Sequence, residues 1–159
     1  MSIWFVSAGL ILELIFFVAA MIIVYLGGEC PFIKDLKVVL MCVLFGGVGG
    51  CLYCLRGVYL NACVHRRWDT TWLPWYCIRP VVSLILGGIS YLFVSSGLLL
   101  FGADRSPDDT QLGLWAVAFL AGLNVDKFIA KIESLGQTTW GLEPSRQSKS
   151  NNDSSINKE

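Results

Sequence analysis

IWFVSAGLILELIFFVAAMIIVYL, residues Ile3 to Leu26, holds one charged side chain, Glu13, in an otherwise uncharged, mostly apolar run. As an α-helix with 1.5 Å of rise per residue it is about 36 Å long, enough to cross the ~30 Å hydrocarbon core of a bilayer. A helix is the form expected there, because backbone N–H and C=O groups find no water in lipid and must bond within their own segment. The run is longer than the apolar part of a signal peptide, has no basic residue before it and contains Glu13, so it is read as a retained first span.

Three further apolar stretches follow: Val38–Leu55, Val81–Phe101 and Leu112–Leu123. With 55% hydrophobic and 15% charged residues among 159, and a mean hydropathy of +0.62, the chain has too few charges to cover a water-soluble globule. The expected fold is all-α and integral to a membrane: a four-transmembrane-helix bundle with spans at about 3–26, 38–59, 80–101 and 112–129. Residues 1–135 make one domain, since the loops are too short to enclose a second core. Residues 136–159, rich in Ser, Asn, Lys and Glu without apolar periodicity, read as a disordered cytoplasmic tail.

The loops set the orientation. His65, Arg66, Arg67 and Arg79 against Asp69 make the second connection basic, whereas Asp104, Asp108 and Asp109 against Arg105 make the third acidic. The positive-inside rule places the basic loop, and with it both termini, in the cytoplasm. The first loop, with Glu29, Lys34, Asp35 and Lys37, is balanced. Leu112–Leu123 is short for a span, but Val125, Phe128, Ile129, Ile132 and Leu135 continue with helical spacing while Asp126, Lys127, Lys131 and Glu133 take the other face. The expectation is one helix to about Leu135 whose last turns form a cytoplasmic amphipathic segment; a re-entrant or interfacial helix is the alternative.

Small residues mark candidate helix contacts: Gly46, Gly47, Gly49 and Gly50 in span two, Ser83, Gly87 and Gly88 in span three, and Ala118 with Gly122 in span four. In lipid, close backbone approach supplies much of the attraction between helices, and small residues permit it. Packing within one bundle accounts for such faces. Three of them in so small a chain also point to a homo-oligomer.

Charged groups inside the spans are the functional candidates, because a carboxylate or guanidinium in hydrocarbon is turned towards protein or water. Glu13 lies near mid-depth, Arg56 near the cytoplasmic end of span two, and Asp126 and Lys127 in the cytoplasmic third of span four. On one continuous helix Ala118, Gly122 and Asp126 would share a face ending at a carboxylate. Each has a plain alternative: a hydrogen-bonded structural acid for Glu13, a snorkelling anchor for Arg56, a membrane exit for the Asp126–Lys127 pair. Around an oligomer axis, a repeated carboxylate would concentrate cations.

Cys51 and Cys54 have the CxxC spacing of membrane thiol oxidases, with Cys30, Cys63 and Cys77 as further thiols. A reactive pair is expected near the outer surface, and only Cys30 lies on that side, so these cysteines read as small apolar residues. Cys63, His65 and Cys77 match no usual zinc spacing, and no metal or cofactor is expected. The loop holding Arg66, Arg67, Trp68, Trp72, Trp75 and Arg79 reads as an interfacial anchor, with rings at headgroup level, or as a docking surface for a soluble cytoplasmic protein. Pro80 fits the first turn of span three.

Gly49–Arg56, the helix start Trp72-Leu-Pro-Trp-Tyr-Cys-Ile-Arg-Pro80 and the segment Ala118–Gly122 resemble a loose group of small bacterial multi-pass inner-membrane proteins with a glycine-rich helix and an aromatic Arg-Pro helix start. The resemblance covers roughly residues 46–135 and implies a bacterial inner-membrane location but no activity. Members of that group carry a Phe-Ser-Glu-like run after the last glycine, where this chain has Leu123-Asn-Val-Asp126, so a role for an acid there does not transfer directly.

Two function classes follow. One is a small oligomeric ion-conducting pore or membrane effector gated by a partner, of the kind found in bacterial stress and phage defence, with Glu13 and Asp126 as lining groups. The other is a membrane anchor or scaffold recruiting a soluble partner through the basic loop. An enzyme is not expected, since the only histidine lies in the interfacial loop and no nucleophile–base pair accompanies it. The net charge of zero gives no field for nucleic acid, and no direct nucleic-acid partner is expected.

Overall fold

The computed structural model describes residues 3–27, 34–64, 73–97 and 107–141, and its regular structure among them is entirely helical. The elements are α1 (Ile3–Leu26), α2 (Lys34–Tyr59) running on into a wide π-type turn at Leu60–Val64, α3 (Leu73–Ser95), α4 (Pro107–Leu123) and α5 (Val125–Trp140). Three segments, Ile3–Leu26, Leu36–Val64 and Leu73–Ser95, are long and apolar enough to cross a membrane, and α4 with α5 makes a fourth if the pair is one broken span. Trp4, Phe5, Leu12, Ile23 and Leu26 of α1 are exposed, as are Ile85 and Leu92 of α3. Apolar surface on this scale is compatible with a membrane location.

Helix ends are set by local chemistry. The Lys37 ammonium donates to the Tyr25 carbonyl oxygen at 2.9 Å, placing a cation on the last turn of α1, where carbonyls lack helical partners. α3 stops at Ser95 because Gly97 turns left-handed at φ +76°, with its N–H on the Val94 carbonyl at 3.1 Å. α3 thus ends before the expected boundary at 101, and residues 98–101 lie outside the described residues.

At its other end α3 begins earlier than expected. Trp75, Tyr76 and Arg79 belong to the helix, Pro74 takes the first turn, and Pro80 lies inside. Pro80 is completely buried beside α2, where a Cβ added at Gly50 would come within 3.4 Å of its Cα. An internal proline weakens the helix by one hydrogen bond, a loss that neighbouring helices can offset.

The expected single helix from Leu112 to Leu135 is also corrected. Asn124 interrupts it, closing α4 with its N–H on the Leu120 carbonyl at 3.0 Å. Asn is a poor helix former and a good N-cap, and Asp126 follows in the first turn of α5, where a negative charge suits the helix dipole. Ala118 and Gly122 thus share no continuous helix face with Asp126. α5 itself runs on to Trp140, beyond the expected tail boundary at 136, and ends at Gly141 with φ +64°. The rest of the expected tail, 142–159, lies outside the described residues.

Within the unit ending at Val125, α2 is the centre and packs against α1, α3 and α4. The glycines decide how closely. A Cβ at Gly46 would meet the Ser83 carbonyl oxygen at 2.5 Å and the Gly87 Cα at 2.8 Å, and one at Gly122 would collide with the Gly46 carbonyl. Backbones of α2, α3 and α4 therefore meet at Gly46 with no side chain between them. Gly49 receives the α4 backbone at Phe119–Leu123, and Phe17 of α1 and Leu84 of α3 lie over Gly47. The buried Ser83 hydroxyl is within bonding reach of the Arg79 carbonyl at 2.9 Å and the Gly122 carbonyl at 3.1 Å, which ties α3 to α4. Phe45 stacks on Trp115 at 5.7 Å between ring centres.

Candidate functional site

α1 attaches to the bundle by side chains rather than by backbone contact. Leu10 packs with Cys54, Val58 and Tyr76, and Phe17 with Leu44 and Cys51. On the flank beside Leu10, positions 5, 6, 9, 10 and 13 share a face of α1 and approach the first two turns of α3. Between them runs a groove of about 260 Å³ lined by Phe5, Val6, Gly9, Leu10 and Glu13 from α1 and by Leu73, Tyr76 and Cys77 from α3. Gly9 deepens it, because a Cβ there would meet nothing within 4 Å. Glu13 is the one acid in its wall. Among the described residues this half-buried carboxyl makes no hydrogen bond or ion pair.

A second polar feature lies beside the groove. The guanidinium carbon of Arg79 stands 4.0 Å from the Tyr53 ring centre and 4.9 Å from that of Trp75. Trp75 meets Tyr76 edge-on at 5.2 Å, and the Asn61 amide in the π-type turn donates to the Tyr76 hydroxyl oxygen at 3.1 Å. The end of α2, the π-type turn and the start of α3 thus close around a buried cation. Arg79 was expected in a water-facing loop, yet it is 6% exposed. The reason is the early start of α3, which puts Trp75 one turn before Arg79 on the same face and brings Tyr53 across from α2.

The other predicted site residues are not among those that line the groove. Arg56 is exposed in the last turn of α2. Asp126 and Lys127 are exposed in the first turn of α5, whose residues from Asp126 onward form a separate unit. Gly46, Gly47, Gly49, Gly50, Ser83, Gly87 and Gly122 are engaged inside one chain, and Gly88 faces the Val43 side chain. These faces are therefore not spare surface for a second copy. Arg66, Arg67, Trp68, Trp72 and His65 lie outside the described residues. Cys42, Cys51 and Cys54 are buried free thiols, while Cys63 and Cys77 are exposed.

Sequence reading did not single out Gly9, Tyr53 or Asn61, and it gave Tyr76 the role of an interfacial anchor beside Trp75, whereas Tyr76 is buried in α3. For Gly9 a signal existed: Phe5, Gly9 and Glu13 are spaced four apart, which puts a gap between an aromatic ring and an acid on one helix face. Comparison with protein-family models, with curated proteins and with solved structures gives no match.

Proposed function

We propose that this chain is a small multi-pass protein of the bacterial inner membrane, with both termini cytoplasmic, that handles ions through Glu13 in an assembly of several copies and is not an enzyme. The observation that carries the reading is the place of Glu13. It lies about 15 Å along α1, near the middle of an apolar helix, and opens into a side groove without a hydrogen-bond or ion-pair partner among the described residues. A carboxyl in that setting is costly unless a cation or water meets it.

Backbone contact at Gly46 leaves no room for a path between α2, α3 and α4. In this reading ions pass along the α1 side, the least covered of the three long helices, with a second copy completing the passage. Three helices long and apolar enough to span support a membrane location, and the basic loop supports the orientation.

A scaffold recruiting a soluble partner is the second reading, favoured by Asp126, Lys127 and Lys131, which are exposed on α5. Ion flux through purified protein in liposomes separates the two. Flux that Glu13→Gln removes while Asp126→Asn keeps it supports conduction past Glu13. Flux untouched by Glu13→Gln would sink that assignment, and an inserted oligomer without flux moves the function to the scaffold.

A further inference from the structure

We propose that the groove between α1 and α3 is a binding site for a lipophilic organic cation, whose positive group pairs with Glu13 and whose apolar body lies against Phe5, Leu10 and Leu73. The proposal rests on the reading of Glu13 as the working group and adds the class of ligand it receives.

Shape and charge argue together. Phe5 and Leu73 belong to the first turns of their helices and form the mouth, whereas Glu13, two turns further along α1, forms the inner end. The space of about 260 Å³ is a little below the ~300–1,000 Å³ usual for small-molecule sites. It is open along one side, so part of a ligand can project into lipid. The lining is apolar and aromatic apart from Glu13, the Tyr76 hydroxyl and the Cys77 thiol, and the hydroxyl already accepts from Asn61. An apolar wall with a single acid selects a molecule that is apolar over most of its surface and carries one positive charge. The exposed Phe5 ring at the mouth favours a cation over a neutral molecule of the same shape.

Other occupants match less well. A phospholipid acyl chain would fill the apolar part but leave the carboxyl with no partner, and the headgroup stays at the surface, about 15 Å from the middle of the bilayer where Glu13 lies. A second copy beside α1, as the conduction reading has it, brings its own Glu13 and no positive group, so it leaves the carboxyl's need for a cation in place. A lipophilic cation satisfies both parts of the site.

The test is equilibrium binding of radiolabelled tetraphenylphosphonium to the purified full chain in detergent, with tetraphenylborate, an anion of nearly the same shape, as the control. Saturable binding of the cation and none of the anion is expected. Glu13→Gln, nearly isosteric, should weaken it at least ~10-fold, as the loss of one contact to a charged group implies. Gly9→Leu keeps the carboxyl but fills the groove, and the open space around Gly9 lets it fold, so binding should fall as far.

Equal binding of the two probes, or full binding by Glu13→Gln, would overturn the proposal and assign the groove to acyl chains. Absence of saturable cation binding by the folded wild type would overturn it too. Binding without inorganic-ion flux would overturn the conduction reading alone, and flux without binding would overturn the present proposal alone.

Discussion

Two contacts of α2 are built in opposite ways. Towards α3 and α4 it presents Gly46, Gly49 and Gly50, and the partner backbones come so close that an added methyl group has nowhere to go. Towards α1 it presents Leu44, Cys51, Cys54 and Val58, and large side chains from α1 rest on them. The first contact excludes everything else. The second stands helices apart, and along its edge a groove remains in which the one acid of α1 lies. Small residues therefore locate where the bundle is closed, and the acid without a partner among the described residues lies where it is open.

The largest effect should come from placing bulk at the closed contact. Gly46→Val drives a branched side chain against the Ser83 carbonyl and the Gly87 backbone, neither of which can rotate away. Overpacking that flexible side chains absorb costs ~1–3 kcal/mol, and here the loss should exceed ~3 kcal/mol. In gel filtration and thermal unfolding in detergent, the variant should fail to yield a monodisperse folded species. A stable variant with wild-type unfolding temperature would mean that α2 and α3 do not meet at this glycine, and the contrast between the two contacts would fail.

A smaller effect is expected where the two kinds of contact adjoin, at the Arg79 cage. Tyr53→Leu removes one of the rings stacked on a buried guanidinium and should destabilise by about 1–2 kcal/mol, the worth of a desolvated cation–π contact. The same change in an Arg79→Met background should cost less, because no charge remains to be compensated. A double-mutant cycle by thermal unfolding therefore yields a coupling of ~1 kcal/mol or more. Strict additivity would break the cage and return Arg79 to the role of an interfacial anchor.

Much of this was legible in the residues, but unevenly. Glu13 stood out because a lone charge in a long apolar run is costly and calls for a partner, and the helix Ile3–Leu26 is the run itself. Glycine spacing marked α2 as a packing helix, yet it could not tell which partners it meets. Gly46 serves α3 and α4 together, and that convergence is a property of three helices rather than of one. The start of α3 was hidden because three tryptophans and several arginines look like an interface, and Pro80 looks like a first turn. The helix begins at Leu73, and Pro80 is accommodated beside Gly50. The stop at Asn124 was masked because apolar spacing resumes at Val125, one residue later. The groove was the least visible feature, since it depends on how far α1 stands from α3.

The smallest expected effect is also the sharpest check on the contrast, because it uses the same residue type in the open region. Gly9 sits in the first half of α1, and a Cβ added there meets nothing within 4 Å, unlike one at Gly46, Gly49 or Gly122. Gly9→Ala should therefore leave the fold intact, and the gain in helix propensity, at most ~1 kcal/mol, should hold or slightly raise the unfolding temperature. Gly113, also open by this measure, serves as the second case in α4. If Gly9→Ala instead destabilised the protein as Gly46→Val does, α1 would be packed at Gly9 by backbone contact. The groove beside Glu13 would then be closed, and the acid would need a partner from within the bundle rather than from outside it.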